Sequence, residues 1–264
     1  PGKHELTGDR RLFERPQEPL LHNLRQLGVR AMIKTGNNPS LTIQSNGWNK
    51  PRGALVVDRT ISSQFASAVI LNAWELSFPL LVRFTSEAVS PSYMAMSLDL
   101  ARQAGMQTKF VSDNELLIAQ EQSVRPGNYQ TEIDASSAFA IAALASVAGK
   151  AEIFDFPVNG LQPDCVFPKA LTQLGVKVNL TNKSLSVSLA EKMKCINWNL
   201  KDCPDLFPIL AVLCALAEGD SLLHGAPHLT YKESNRISKV AELLSLMDRD
   251  VDVRTDGLLI HGKN

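Results

Sequence analysis

Five consecutive residues, Lys232-Glu233-Ser234-Asn235-Arg236, combine two cations with one carboxylate. They lie between an apolar stretch at residues 206–216 and a helix-like stretch at residues 237–247. Cationic side chains bind anionic oxygens through charge-assisted hydrogen bonds, and a carboxylate can exchange a proton. This run therefore predicts a site for an acidic small molecule. The alternative is ordinary side-chain pairing along one helix face, which the sequence leaves open.

Three further segments place polar residues where a helix is predicted to begin. These segments are Ser62-Ser63-Gln64, residues 134–137 with Asp134, Ser136 and Ser137, and Pro204-Asp205. A helix N-terminus has unpaired N–H groups and a favourable dipole, so it can receive a phosphate or a carboxylate. Simple helix capping is the alternative for each of them, since Ser and Asp are preferred caps.

Arg15 is a fourth candidate because of the residue that follows it. Pro16 disfavours helical geometry at the preceding position, so Arg15 is predicted to lie in a loop. An arginine there could clamp an oxyanion. The alternative is a solvated charge, since Arg10 and Arg11 lie close by.

Composition limits the classes of function. The chain has 264 residues, is 44% hydrophobic and carries 27 basic and 27 acidic side chains. A chain of this length is expected to form two domains. Because the basic and acidic side chains are equal in number, no excess of positive charge indicates binding to nucleic acid or to an anionic membrane. Because the longest apolar runs, 139–148 and 206–217, are far shorter than a membrane span, we expect a soluble protein.

The cysteines and the start of the chain bear on its compartment. The four cysteines form no C-x-x-C pair, and so few in a chain of this length fit free thiols in the cytosol. The chain begins at Pro1 with no apolar leader, which resembles a truncated start more than a signal peptide.

Four segments share one pattern, a helix-like stretch followed by a turn and two strand-like stretches. The helix-like stretches end near Gly28, Gly105, Gly175 and Met247. Gly28 and Gly105 are 77 residues apart and Gly105 and Gly175 are 70 apart, so the period is about seventy. The paired strand-like stretches are 29–33 and 41–44, 106–111 and 116–119, 176–180 and 185–189, and 251–253 and 258–261.

A second type of helix lies between these segments and begins at the three polar starts described above. Each full repeat is therefore predicted to be strand-helix-strand-helix-strand-strand (βαβαββ), which makes the fold α/β. The first repeat has only its second half, whereas the other three are predicted to be complete. Residues 123–132 break the pattern with Pro126-Gly127, so we expect one domain at 1–131 and another at 132–264.

Taken together, these segments resemble the 5-enolpyruvylshikimate-3-phosphate synthase family (3-phosphoshikimate 1-carboxyvinyltransferases). The matching segments are Leu6-Thr7-Gly8-Asp9 with Arg15-Pro16, Ser62-Ser63-Gln64-Phe65, Ser90 with Tyr93, Asp134-Ala135-Ser136-Ser137-Ala138, Pro204-Asp205, and Lys232-Glu233-Ser234-Asn235-Arg236. The resemblance extends over the whole chain, which covers the middle of the family's length. It implies a two-domain enolpyruvyl transferase fold of repeated βαβαββ units, incomplete at both ends, with the active site in the cleft between the domains.

The resemblance also implies which residues bind the substrates. Shikimate 3-phosphate contacts are implied for Ser62, Ser63, Gln64, Ser90, Tyr93, Asp205 and Lys232. Phosphoenolpyruvate contacts are implied for Arg15 and Arg236.

Three residues acquire catalytic roles by the same resemblance. Asp205 would accept the proton of the attacking 5-hydroxyl, Glu233 would exchange a proton with the enol methylene carbon, and Lys232 would reach the phosphate or a ring hydroxyl. The reaction adds the hydroxyl across the enol double bond and then expels phosphate. The resemblance implies that no metal or organic cofactor takes part and that the two small-molecule substrates are the only partners. It also implies a cytoplasmic monomer that binds neither nucleic acid nor a membrane.

The chain also departs from the family. Asn235 stands where the family usually has aspartate, and His228 where some branches have asparagine. The early Lys-Ser segment, the Asn-Ala-Gly-Thr loop, the late Asp-His-Arg segment and the final lysine have no counterpart. Two alternatives follow: a non-catalytic relative or fragment with the same repeat fold, and the UDP-N-acetylglucosamine enolpyruvyl transferase. The latter's hallmark cysteine, five residues before the loop arginine, is replaced by Arg10.

Overall fold

Strands and helices alternate along the chain, as the repeat predicts. The computed structural model describes residues 1–85 and 88–263. They form two compact units, an N-terminal unit at Pro1–Asn128 and a C-terminal unit at Tyr129–Asn264. The functional domains expected at 1–131 and 132–264 stay a prediction.

The N-terminal unit contains two sheets. Its three-stranded sheet has the order β1-β3-β2 and is antiparallel; its four-stranded sheet has the order β4-β5-β7-β6, in which only β4 and β5 are parallel. The strands are β1 Gly2–Thr7, β2 Arg30–Lys34, β3 Ser40–Ser45, β4 Leu55–Val57, β5 Leu80–Phe84, β6 Thr108–Ser112 and β7 Glu115–Ile118. The helices are α1 Arg10–Glu14, α2 Glu18–Gln26, α3 Gln64–Leu71 and α4 Pro91–Gln103.

The C-terminal unit repeats this arrangement. Its antiparallel sheet has the order β8-β10-β9, and its four-stranded sheet β11-β12-β14-β13 again has one parallel pair, β11 with β12. The strands are β8 Lys150–Phe154, β9 Lys177–Leu180, β10 Ser184–Ser188, β11 Asn197–Asn199, β12 Asp220–His224, β13 Val251–Arg254 and β14 Gly257–His261. The helices are α5 Ala135–Ala148, α6 Phe167–Gln173, α7 Phe207–Leu216 and α8 Arg236–Leu246, with 3₁₀ helices η1 Pro163–Val166, η2 Pro204–Leu206 and η3 Pro227–Tyr231.

The turn after each repeated helix has a left-handed residue. Gly28, Gly105 and Gly175 have φ of +81°, +104° and +83° after α2, α4 and α6, and Asp248 has φ of +55° after α8. A left-handed residue ends a helix and redirects the chain into the next strand, and glycine adopts that conformation most readily. The four predicted helix-turn-strand-strand segments are therefore confirmed, with an aspartate in the place of the fourth glycine.

The prediction that three repeats are complete is wrong for the third one. Among the described residues, no strand lies between the end of β7 at Ile118 and the start of α5 at Ala135. Residues 123–132 are exposed, and they include Pro126, which lacks an N–H group for a strand ladder. The sheet of this repeat accordingly has three strands instead of four.

Two apolar helices, α5 and α7, begin at polar candidate residues of the C-terminal unit. They bury half or more of their residues in the core of this unit, where the rings of Phe139 and Phe167 lie 5.1 Å apart. Such dense packing fixes the polar starts of these helices, since a shift would open cavities in the core. The short helices η1 and η2 run directly into α6 and α7 and are fixed with them.

The cysteines and the helix lengths bear on the expected compartment. All four cysteines are free thiols, and burial raises the pKa of Cys165 and Cys203 to about 11 and that of Cys214 to about 12. Within residues 1–85 and 88–263, no helix is long and apolar enough to cross a membrane.

Candidate active site

The segment from Lys232 to Asn235 connects η3 to α8, so its side chains project from the start of a helix. Asn235 is the N-cap of α8, and its side-chain Oδ1 accepts a hydrogen bond from the backbone N of Ser238 at 3.2 Å. Because asparagine and aspartate cap helices about equally well, this departure from the family leaves the local fold intact.

Asp205 lies between the two cations of this segment. Arg236 donates from Nη1 to Oδ1 of Asp205 at 2.5 Å, and Lys232 Nζ is 3.9 Å from the same oxygen. The second arm of Arg236 donates from Nη2 to Oε2 of Glu233 at 3.1 Å. The structure thus brings together the four C-terminal residues for which the family resemblance implies a role. We call Asp205, Lys232, Glu233 and Arg236 the anion cluster.

The four side chains differ in exposure. The side chains of Lys232 and Arg236 are 22% and 25% exposed and that of Asp205 is 35% exposed, whereas that of Glu233 is 66% exposed. The pairs of Asp205 are therefore partly shielded from water, which strengthens them relative to surface pairs. Glu233 remains accessible to a molecule that binds from solvent.

His228 lies beside the cluster and is buried. Burial lowers the pKa of His228 to about 4, with a further lowering by the Lys232 cation that Asp205 opposes. The ring is therefore neutral near pH 7.

Asp164 also belongs to this region, although sequence analysis did not identify it. It lies on η1 and is buried, and its charge interacts with those of Asp205 and Lys232. A sequence signal existed, because Pro163-Asp164 precedes Phe167-Pro168 much as Pro204-Asp205 precedes Phe207-Pro208.

In the N-terminal unit, α3 and α4 begin beyond the carboxyl ends of β4 and β5. These two strands are parallel, so both helix starts face the same edge of the sheet. Ligands commonly bind at this edge of parallel strands, where helix N-termini are available. Ser97 Oγ on α4 donates to Ser67 Oγ on α3 at 2.8 Å, which joins the two helices near their middles.

The start of α3 combines capping with exposed polar groups. Ser62 Oγ accepts a hydrogen bond from the backbone N of Gln64 at 3.2 Å, so Ser62 has a local structural role. Ser63 is buried at the N-cap position, and Gln64 is exposed. At the equivalent start of α5, Asp134 Oδ1 accepts from Ser137 N at 2.8 Å, which fits the capping alternative for Asp134.

The start of α4 has an unusual backbone conformation. Ser90 has φ of +47° and ψ of +54°, is buried and is followed by Pro91. A left-handed conformation at a residue other than glycine costs free energy and often occurs at functional sites. The backbone N of Tyr93 donates to Ser90 O at 3.2 Å, so both predicted substrate-binding residues lie in this first turn.

Arg59 was also missed by sequence analysis, although it directly follows β4 and Asp58. Its Nη2 donates to Thr85 O at 2.9 Å, and its guanidinium lies 4.7 Å from the centre of the Phe84 ring. Burial lowers the pKa of Arg59. This side chain ties the end of β4 to the end of β5.

Arg15 follows α1 and has an extended backbone with φ of −69° and ψ of 150°. The predicted effect of Pro16 on its backbone is therefore confirmed. Its side chain is half-buried. The role of Arg15 in anion binding stays a prediction.

The anion cluster can both bind an acidic molecule and move a proton. Two cations within reach of one carboxylate provide charge-assisted contacts to phosphate or carboxylate oxygens. Asp205 and Glu233 are carboxylates on different elements, held by one guanidinium, and each is a candidate proton carrier.

Comparison of the sequence with known proteins shows the family of this chain. A model of the family EPSP synthase (3-phosphoshikimate 1-carboxyvinyltransferase) matches residues 1–264. The 3-phosphoshikimate 1-carboxyvinyltransferase of Methanocorpusculum labreanum is 30% identical over 99% of this chain and 60% of its own length. That of Methanothrix thermoacetophila is 33% identical over 97% of this chain and 60% of its own length. The chain therefore spans about 60% of the length of these relatives.

Solved structures give the fold. EPSP synthase from Acinetobacter baumannii aligns with a TM-score of 0.68 and 22% identity, covering 100% of this chain and 60% of that one. The enolpyruvyl transferase NikO from Streptomyces tendae aligns with a TM-score of 0.71 and 15% identity, covering 99% and 60%. The chain thus has an α/β enolpyruvyl transferase fold with repeated sheet units.

Proposed function

We propose that this chain, which belongs to the EPSP synthase family, binds shikimate 3-phosphate and phosphoenolpyruvate and transfers the enolpyruvyl group to the 5-hydroxyl with release of phosphate. The substrates are those of the family named by the sequence match. Within the C-terminal unit, the anion cluster supplies the groups that this reaction needs.

The observation that supports this proposal most directly is the position of Asp205 between Lys232 and Arg236. Asp205 accepts the proton of the 5-hydroxyl as the hydroxyl oxygen forms a bond to C2 of phosphoenolpyruvate, and C3 takes up a proton from protonated Glu233. Glu233 then removes a proton from C3, the C2–C3 double bond forms again and the C2–O bond to phosphate breaks. The proton held by Asp205 leaves with the released phosphate. The cations of the cluster stabilise the negative charge of the phosphoenolpyruvate and of the leaving phosphate.

In the N-terminal unit, we assign shikimate 3-phosphate binding to the starts of α3 and α4. Ser62, Ser63 and Gln64 offer two hydroxyls, an amide and a helix N-terminus to the phosphate. Ser90 and Tyr93 contact the ring. Arg15 binds phosphoenolpyruvate. We infer that the two units correspond to repeats of the βαβαββ type that the family contains.

Phosphate release tests this function. The folded chain is given both substrates, each substrate alone, and UDP-N-acetylglucosamine in place of shikimate 3-phosphate. We expect release only with shikimate 3-phosphate and phosphoenolpyruvate together. We expect Glu233→Gln to lower the rate by about 10²- to 10⁴-fold, the usual contribution of a proton-transferring group.

A matched control lies on α8. Glu242 is an exposed carboxylate that pairs with Lys239 at 2.5 Å outside the anion cluster. Glu242→Gln is expected to leave the rate unchanged. A folded chain that releases no phosphate, or that prefers the UDP-linked sugar, contradicts the proposal.

A further inference from the structure

Asn23 on α2 is a buried residue whose side-chain amide lacks hydrogen bonds. The residue is 1% exposed. Its Oδ1 and Nδ2 atoms are both buried, and neither has a hydrogen-bond partner among the described residues. Burying an amide in this way costs free energy, and buried polar groups nearly always have a partner. A group that satisfies both atoms must offer a donor to Oδ1 and an acceptor to Nδ2.

This amide lies in the wall of a cavity of about 210 Å³ that α2 and α3 line together. Helix α2 contributes Leu20, Asn23 and Leu24, and positions i, i+3 and i+4 share one face of a helix. Helix α3 contributes Ala68 and Val69. The unsatisfied amide therefore belongs to an otherwise apolar space between elements of the N-terminal unit.

The lining of the cavity selects an uncharged molecule. None of the described residues that line it has a charged side chain, so an ion would lose its hydration there without gaining an opposite charge. The other amide in the lining is that of Asn72, which is exposed and donates from Nδ2 to Ala68 O at 2.8 Å. Trp48 also lines the cavity, and its ring offers a face or an edge to an aromatic molecule.

The volume of the cavity limits the size of a ligand. An apolar cavity of roughly 150 Å³ is large enough to bind benzene. The cavity beside Asn23 has about 210 Å³, so it has room for one six-membered aromatic ring with a small polar substituent. A carboxamide is a suitable substituent, because its N–H can donate to Oδ1 of Asn23 while its carbonyl oxygen accepts from Nδ2.

We propose that this cavity is a binding site for a small uncharged aromatic molecule that carries a carboxamide or an equivalent donor–acceptor pair, with Asn23 as its polar contact. The site is separate from the residues assigned to the substrates. Helix α3 lines the cavity from Ala68 onward, whereas Ser62, Ser63 and Gln64 lie at the start of this helix. The binding therefore does not depend on the proposed enolpyruvyl transfer.

NMR titration of the whole chain with three probes tests this proposal in the absence of substrates. Benzamide carries the ring and the carboxamide, toluene carries the ring alone, and benzoate carries the ring with a negative charge. We expect saturable binding of benzamide, with nuclear Overhauser contacts between its ring protons and the ring of Trp48. The Nδ2 signals of Asn23 should shift with benzamide but not with toluene. Benzoate should not bind at neutral pH.

The ratio of the affinities for benzamide and toluene isolates the contact with Asn23, in the manner of a double-mutant cycle. Asn23→Leu keeps a side chain of similar shape and removes the amide. The ratio should then fall about ten- to a hundredfold, as expected for the loss of two hydrogen bonds. Asn72→Leu is the matched control, because it removes an exposed amide of the same cavity whose Nδ2 already donates to the backbone. In this variant the ratio should change by no more than about twofold, as is usual at surfaces.

Each outcome decides the proposal. It is overturned if benzamide does not bind saturably to the folded chain, or if the bound benzamide does not contact Trp48. An affinity ratio that is unchanged in Asn23→Leu, or that falls equally in Asn72→Leu, also overturns it. Benzoate that binds as tightly as benzamide would show that the lining does not select an uncharged molecule. Should Asn23→Leu fail to fold, the Nδ2 signals of Asn23 in the wild type decide, since a response to benzamide equal to that to toluene excludes the amide contact.

Discussion

Arg236 Nη1 lies 2.5 Å from Asp205 Oδ1 and so joins the first residue of α8 to the short helix η2, 31 positions earlier in the chain. Because the same guanidinium also holds Glu233, the two carboxylates that we assign to proton transfer are oriented by one cation. Because each arm of the guanidinium donates to a different carboxylate, Arg236 fixes the position of both carboxylates as well as balancing their charge.

Asp205→Asn should greatly reduce phosphate release without unfolding the chain. Asparagine keeps the shape of the side chain but cannot accept a proton, so we expect a loss of about 10²- to 10⁴-fold in kcat. Asp202 is exposed and lies three residues earlier, and Asp202→Asn is the control. Equal rates for the two variants would contradict the role of Asp205.

Arg236→Lys should weaken phosphoenolpyruvate binding, although the charge is kept. Lysine lacks the planar fork that contacts Asp205 and Glu233 together. With charge-assisted hydrogen bonds worth about 1.5 to 3 kcal/mol, we expect KM for phosphoenolpyruvate to rise roughly ten- to a hundredfold. Arg254 on β13 is exposed, and Arg254→Lys should leave KM unchanged. An unaltered KM in Arg236→Lys would remove Arg236 from the binding site.

The stability of the chain should depend on pH through two groups with opposite effects. The pKa of Asp164 is raised from 3.8 to about 6, so the unfolded chain releases this proton first and stability falls as pH rises through that window. The pKa of His228 is lowered from 6.5 to about 4, so the unfolded chain binds this proton first and stability falls as pH decreases through that window. The two slopes oppose each other in the wild type.

In Asp164→Asn, the change of the unfolding free energy with pH should therefore be due to His228 without the opposing effect of Asp164. We expect its unfolding free energy to rise between pH 4 and pH 6.5 by roughly 3 kcal/mol more than that of the wild type, from 1.36 kcal/mol per pKa unit. Urea unfolding at a series of pH values measures this difference. Parallel profiles for the two proteins would show that Asp164 ionises in the folded state as it does in the unfolded chain.

Asn23→Leu should stabilise the N-terminal unit. Asn23 is 1% exposed, and neither atom of its side-chain amide has a hydrogen-bond partner in the part of the chain that the structure describes. It lines a cavity with Leu20, Leu24 and Trp48, so leucine suits the surroundings. Removing a buried unsatisfied amide should raise the unfolding free energy by roughly 1 to 2 kcal/mol.

Asn72 provides the comparison for this prediction. It lines the same cavity, but it is exposed and donates from Nδ2 to Ala68 O at 2.8 Å. Asn72→Leu should change the unfolding free energy by no more than about 0.5 kcal/mol, as is usual at surfaces. A loss of stability in Asn23→Leu would mean that the amide has a partner in solution.

The helices and turns of the repeat could be predicted from sequence because their signals are local. Gly28, Gly105 and Gly175 each mark a left-handed helix end, and a pair of strands follows each of them. The missing strand before α5 could not be predicted, because pairing depends on what a neighbouring sheet edge offers. Asp248 shows the limit of the glycine signal, since an aspartate adopts the same conformation at the fourth turn.

Sequence identified the residues of the anion cluster, while their contacts required the fold. The pairing of Asp205 with Arg236 spans two helix starts and depends on how α7 and α8 pack. Asp164 was missed because its significance comes from burial and from charges far away in sequence. No local sequence pattern indicates that the Asp164 side chain is buried. The repeated Pro-Asp motif indicates only where Asp164 lies in the repeat.

Proton exchange at C3 of phosphoenolpyruvate tests the central claim most directly, because it requires only the addition step and its reversal. The folded chain is incubated with phosphoenolpyruvate in D₂O, with and without shikimate 3-phosphate, and the vinyl signals are followed by ¹H NMR. We predict deuterium incorporation that depends on shikimate 3-phosphate and is lost in Glu233→Gln but retained in Glu242→Gln. Incorporation that is absent from the folded wild type, or equal in Glu233→Gln, would contradict the assignment of enolpyruvyl transfer to the anion cluster.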